Sequence, residues 1–149
     1  MRSRLSMVFI LALCPWLALS VGCSNVSDGG SDGNSLAGTS WRLVKILSMN
    51  DQTYTPNDRS KYTLAFEAGG RISVRADCNS GQGSWSEPVP GQLTFGRLVT
   101  TRVMCPPESL HDRFIRDLGA VRSYRIQDGR LYLSLMADGG IYEFEPAPR

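Results

Sequence analysis

Between residues 62 and 76 the chain twice alternates apolar and polar side chains, with a Gly-Gly pair between the two runs. Tyr62, Leu64 and Phe66 share one face of the first run. After Gly69-Gly70, Ile72, Val74 and Ala76 share a face, with Ser73, Arg75 and Asp77 opposite. A period of two is the spacing of a half-buried strand, so this stretch predicts an amphipathic hairpin. The pattern returns near the end of the chain. Asp128-Gly129 is a strong two-residue turn signal between Tyr124-Arg125-Ile126 and Leu131-Tyr132-Leu133-Ser134-Leu135. Asp138-Gly139-Gly140 then leads into Ile141-Tyr142-Glu143-Phe144-Glu145. Further strands are expected at Trp41–Leu47, at Gln92–Phe95 and, shorter, near Leu98–Thr101. Strand signals dominate.

One helix interrupts them. Pro107 can occupy a first-turn position, Glu108 favours the positive end of the helix dipole, and Gly119 can end the segment. Leu110, Phe114 and Leu118 recur every four residues with Ile115 beside them, an apolar stripe suited to packing on a sheet. The folded part spans residues 36–146, one domain with one core, and shows no internal repeat.

The first residues read as an address. Arg2 and Arg4 precede an apolar run from Leu5 to Leu19, the layout of a secretory signal. At about 15 residues the run falls short of the roughly 20 that cross a bilayer as a helix. It ends in Leu19-Ser20-Val21-Gly22-Cys23, which resembles a bacterial lipobox, with Ser20 where Leu is usual. The expectation is a signal peptide over residues 1–22, cleavage before Cys23, and acylation of that thiol. Each buried methylene contributes about 0.8 kcal/mol, so two or three chains hold a small domain at a membrane. Ser24 after the anchor resembles the sorting signal for the outer membrane, so the domain is expected to face the periplasm. Residues 23–35, rich in Gly, Ser and Asp, read as a flexible tether. Asp28 and Asp32 lack the spacing of a calcium loop.

Of four cysteines, Cys14 leaves with the signal and Cys23 takes lipid. Cys78 and Cys105 remain, and in an oxidising compartment they read as one disulfide. The alternative, a metal site adding His111, lacks a fourth obvious ligand and any Cys-x-x-Cys spacing. No metal site or cofactor is expected. Cleavage removes two of sixteen basic residues and no acid, leaving fourteen of each sign. No basic stripe survives of the kind nucleic acid needs. Arg97, Arg102, Arg113, Arg116, Arg122, Arg125 and Arg130 are interleaved with Glu108, Asp112, Asp117 and Asp128 and read as a solvated mixed-charge face.

These landmarks resemble the META domain family, the HslJ-like envelope proteins. The resemblance rests on Gly38-Thr39-Ser40-Trp41-Arg42-Leu43, on Cys78-Asn79 with Gly81 close behind, on Thr101 four residues before Cys105, on the Pro-plus-acidic helix start and on the Leu-rich closing hairpin. The family usually carries Gly before the Cys-Asn pair and Met-Ala before the second Cys, where Asp77 and Val103-Met104 stand here. The resemblance implies an α+β fold: a strongly curved antiparallel sheet, open-barrel-like, packed on a single α-helix. It also implies a loose association with stress tolerance, antibiotic sensitivity or virulence. It supplies no catalytic residues, and carries Cys78 and Cys105 over as a structural pair.

Catalysis is not expected. His111 is the only histidine and sits beside Asp112, and adjacent helix positions point in different directions. No nucleophile elbow, phosphate-binding Gly loop or zinc-protease motif occurs. Glu143 and Glu145 share a strand face and read as solvated. A binding module is the stronger reading, because a curved sheet leaves a concave surface. Trp41 reads as core. Trp85, flanked by Gly83, Ser84, Ser86 and Pro88 in a loop-like stretch, is a candidate partner contact, with Asn79 a second. The expected partners are the bilayer, through the anchor, and another envelope protein, with the chain itself a monomer. An alternative is an inhibitor of an incoming hydrolase such as lysozyme, with Cys78-Asn79-Ser80-Gly81 as the plugging loop.

Overall fold

The computed structural model describes residues 35–148, in which ten strands form one antiparallel sheet around an aromatic-rich core. The signal peptide, Cys23 and all but the last residue of the tether lie outside the described residues. The strands are β1 (Thr39–Leu47), β2 (Thr53–Tyr54), β3 (Tyr62–Glu67), β4 (Arg71–Ala76), β5 (Asn79–Ser86), β6 (Thr94–Phe95), β7 (Val99–Thr100), β8 (Val121–Gln127), β9 (Arg130–Leu135) and β10 (Ile141–Pro146). The single α-helix among the described residues, α1, runs His111–Leu118.

Two meanders, β3-β4-β5-β6 and β8-β9-β10, are joined by β1, which pairs β3 on one edge and β10 on the other. The ends of this curved sheet nearly meet. Leu93 N donates to Arg122 O at 3.0 Å, and Tyr124 N donates to Gly91 O at 2.9 Å. The result is a nearly closed barrel, the curved sheet with one helix that the sequence led us to expect.

The two hairpins form where the alternation put them, and both turns suit their residues. Asp128 and Gly129 take φ of 51° and 71°, the left-handed pair a tight hairpin demands. In β1 the register slips between Leu43 and Lys45. This bulge at Val44 lets Trp41, Leu43 and Ile46 all reach the core, although strict alternation would turn Ile46 outward.

Phe114 anchors the helix. It is fully buried, with the rings of Tyr62, Tyr142 and Phe144 at 5.7, 6.0 and 6.2 Å. The helix starts later than its Pro-plus-acidic lead predicts. Ser109 N donates to Pro106 O, so Pro106-Pro107 make a turn instead. The Leu110 N–H is taken by Tyr62 Oη at 2.9 Å, and Ser109 Oγ accepts from His111 N at 3.1 Å. Side chains thus satisfy the first orphan donors before helical bonding begins.

The segment 79–86, read from sequence as turn and loop, is the eight-residue strand β5. Its Ser, Gly and Gln residues hide the strand because they carry no apolar alternation. Close approach of β7 and the chain before it explains the choice. A Cβ on Gly81 would lie 2.6 Å from Thr100 Cγ2, and one on Gly83 would lie 2.8 Å from Arg97 O. The Gln92–Phe95 strand shrinks to Thr94–Phe95 paired with β5, because Gln92 and Leu93 bridge to β8 instead.

Candidate functional site: a clamped apolar loop

Cys78 and Cys105 are joined, with Cα atoms 5.6 Å apart. The bond fastens the start of β5 to the end of the segment that follows β7. Asp77, one residue earlier, has φ of 55°. That left-handed position favours Gly, and Asp is among the few other residues that tolerate it. It therefore accounts for Asp77 standing where Gly is usual in the resembling proteins. Asp77 gains in exchange a hydrogen bond from Ser109, which with Lys61 at 3.4 Å outweighs burial and holds its carboxyl below the usual range.

Beside the disulfide, Asn79 is 1 % exposed. Its Oδ1 accepts from Val103 N at 2.7 Å and from Thr101 Oγ1 at 2.9 Å. Its Nδ2 donates to Val103 O at 2.9 Å and lies within 3.4 Å of both sulfurs. One amide therefore holds both backbone groups of Val103. Thr101 N donates to Ser80 O at 2.9 Å, and Thr101 Oγ1 accepts from Ser80 N at 3.1 Å. The Asn79 side chain is thus spent inside the molecule and not presented to a partner. Cys78-Asn79-Ser80-Gly81 does not project as a plugging loop.

What the clamp presents is the opposite segment, β7 and the chain that follows it. With the backbone of Val103 turned inward, its side chain is 61 % exposed, Met104 is 96 % exposed and Val99 is 68 % exposed. Thr100 lies between two concave regions. One is a shallow groove over the outer faces of β3, β4 and β5, with Thr63, Ser73, Arg75 and Gln82 in its floor. The other runs past Met104, Pro107, His111 and Ile115. An apolar ridge held in place between two grooves has the form of a docking surface.

The sequence pointed to other residues. Trp85 lies on β5, half-buried, with its ring edge-on to Phe66 at 5.3 Å and its Nε1 donating to Glu67 O at 3.3 Å. It works mainly as a core wall. Trp41 is buried, as read. Glu143 and Glu145 do not form a solvated face. Glu143 is 7 % exposed, bonded by Arg130 and Lys45, while Arg42 donates to Glu145 at 2.7 Å. Burial pushes Glu145 up, but Arg42 and Arg59 prevail and its carboxyl sits below the usual range.

Reactive groups near the loop are tied to structure. Ser109 Oγ contacts Tyr62 Oη at 3.2 Å and accepts from the His111 backbone N–H, and among the described residues no hydrogen bond joins it to the His111 ring. His111 Nδ1 faces Asp112 at 3.0 Å, and its buried Nε2 has no partner among the described residues. Among the described residues no three His, Cys, Asp or Glu side chains gather as metal ligands. No helix among them is long and apolar enough to cross a membrane.

The META domain family model matches residues 34–148, nearly all of the folded part. The chain belongs to the META domain family. Within that family the Cys78-Asn79, Thr101 and Cys105 landmarks acquire a shared purpose, since all four residues meet in the clamp. No curated protein matches this chain. Two solved structures share its fold. An NMR structure of a protein from Burkholderia xenovorans is 22 % identical, with a TM-score of 0.66 over 76 % of this chain and 85 % of that one. The crystal structure of a DUF4847 family protein from Bacteroides vulgatus is 13 % identical, with a TM-score of 0.54 over 74 % of this chain and 93 % of that one.

Proposed function

We propose that this META domain protein is an envelope lipoprotein whose domain is a non-catalytic module that binds another envelope protein. In this reading residues 1–22 are removed, Cys23 is acylated, and the domain faces the periplasm from the outer membrane. The observation that carries it is the clamped ridge. A disulfide and a buried Asn79 amide hold Val103 and Met104 open to water, an arrangement that costs apolar exposure unless something covers it. The lipobox-like Leu19–Cys23 run and the disulfide support an exported, anchored state. A role in envelope maintenance or stress rests on the family.

The test replaces Met104 with a photo-crosslinking amino acid in the full chain, expressed in bacteria. A discrete adduct with one envelope protein is expected, and it should vanish when Val99 and Val103 are changed to Ser. An adduct that survives those changes, or none at all, contradicts the ridge as the contact. Lysozyme turnover with residues 24–149 separates the hydrolase-inhibitor alternative: inhibition at micromolar protein would displace the envelope-partner reading.

A further inference from the structure

The outer face of β1, β10, β9 and β8 has its charges sorted by depth. Arg125, Tyr132, Glu143 and Lys45 stand opposite one another across the four strands. Arg42 pairs Glu145 on the same face, Arg130 stands two residues before Tyr132, and Arg59 reaches Glu145 from the turn before β3. The two carboxylates lie underneath. Counting side chains alone, Glu143 is 10 % exposed against 38 % for Lys45 and 43 % for Arg130; Glu145 is 19 % exposed against 35 % for Arg42 and 45 % for Arg59. Arg125 needs no carboxylate, since its guanidinium lies over the Tyr132 ring at 4.5 Å. Four cations thus cover two sunken acids and Arg125 adds a fifth positive charge, so the layer that meets solvent is positive although the mature chain is close to neutral. Leu47 and Ile141 continue the face without charge.

We propose that this face rests on an anionic phospholipid surface. The inference builds on the lipid-anchored reading, which supplies proximity. The thirteen residues from Cys23 to Ser35 reach at most about 45 Å when fully extended. The chain then enters β1 at Thr39, three residues from Arg42, about 10 Å along the strand. The tether therefore keeps this face within reach of the membrane, where its cations gain by charge complementarity. The Met104 ridge lies beyond β5, on a different part of the barrel, and stays open to a protein partner.

The experiment uses residues 24–149, whose barrel core lies wholly between Leu36 and Phe144, so the piece carries its own fold and no acyl chain. Co-sedimentation with phosphatidylcholine vesicles containing phosphatidylglycerol is expected at low salt, and loss of binding is expected in pure phosphatidylcholine or at high salt. Arg59→Gln with Arg125→Gln removes two cations while leaving Arg42 on Glu145 and both cations on Glu143. Affinity should fall about fivefold for each, roughly thirtyfold together, with the variant still folded at the assay temperature because Arg42 continues to hold Glu145. Arg59→Lys with Arg125→Lys should keep binding. Equal binding by the Gln variant, or equal binding to neutral vesicles, overturns the proposal. Because no lipid anchor is present, failure here is distinct from finding Cys23 unmodified.

Discussion

Replacing Asn79 by Asp keeps the side chain's shape and changes one donor into an acceptor. Oδ1 can still accept from Val103 N and Thr101 Oγ1. The second oxygen now faces Val103 O, which sits 2.9 Å from Nδ2 in the native protein, and two sulfurs within 3.4 Å. The lost bond is worth about 1 kcal/mol, and a buried charged acceptor without a donor adds about 2–3 kcal/mol. The expected destabilisation is about 3–4 kcal/mol at pH 7. Protonation restores a donor toward Val103 O. The folded-state pKa of the new carboxyl is thereby raised above its unfolded value, so its stability is greatest below the ordinary carboxylate range and is lost as pH rises. At pH 4 the penalty should shrink to about 1 kcal/mol. Urea unfolding of oxidised residues 24–149, variant against native at both pH values, reads this out. A penalty equal at the two pH values, or absent at neutral pH, would refute the clamp as the support of the ridge.

Other perturbations probe separate parts. Changing Cys78 and Cys105 to Ser should lower unfolding free energy by about 3.5 kcal/mol, the loop-closure value for a separation of 27 residues; a loss below about 1 kcal/mol would show that Asn79 alone closes the loop. Gly83→Ala should cost about 1–3 kcal/mol, since its Cβ would sit 2.8 Å from the Arg97 carbonyl, and an unchanged melting temperature would contradict that close approach. His111→Leu should hold or raise the thermal midpoint, because it removes a buried nitrogen without a partner among the described residues; a marked drop would mean that Nε2 is satisfied. Asp77 and Glu145 both sit below the usual carboxylate range. Near pH 4 the folded chain therefore binds fewer protons than the unfolded one, and stability should fall as pH drops through their lowered values. A thermal midpoint flat from pH 7 to pH 3 would argue against these ion pairs.

Strong alternation made the hairpins of residues 62–76 and 121–146 legible, because tight turns and a period of two reinforce each other there. Phe114 and Leu118 were legible for the same reason at helical period. What stayed hidden depends on partners distant in sequence. Strand β5 has no apolar signal, since its glycines answer to Arg97–Thr100 lying close against it. Glu143 looks solvated in any period-two reading until Lys45 and Arg130 arrive from neighbouring strands. Asn79 could be ranked beside the cysteines, but its inward role emerges only once Thr101 and Val103 fold against it. The helix began late because Tyr62, 48 residues away, takes the Leu110 amide.

The proposed lipid anchor and membrane contact both require export, which the disulfide supports. Intact mass of the full-length gene product, extracted from membranes and measured with and without reductant, tests it directly. The account predicts a chain that starts at Cys23, carries acyl groups, and gains two hydrogens on reduction. A chain still bearing residues 1–22, unacylated and with Cys78 and Cys105 as free thiols, would contradict it.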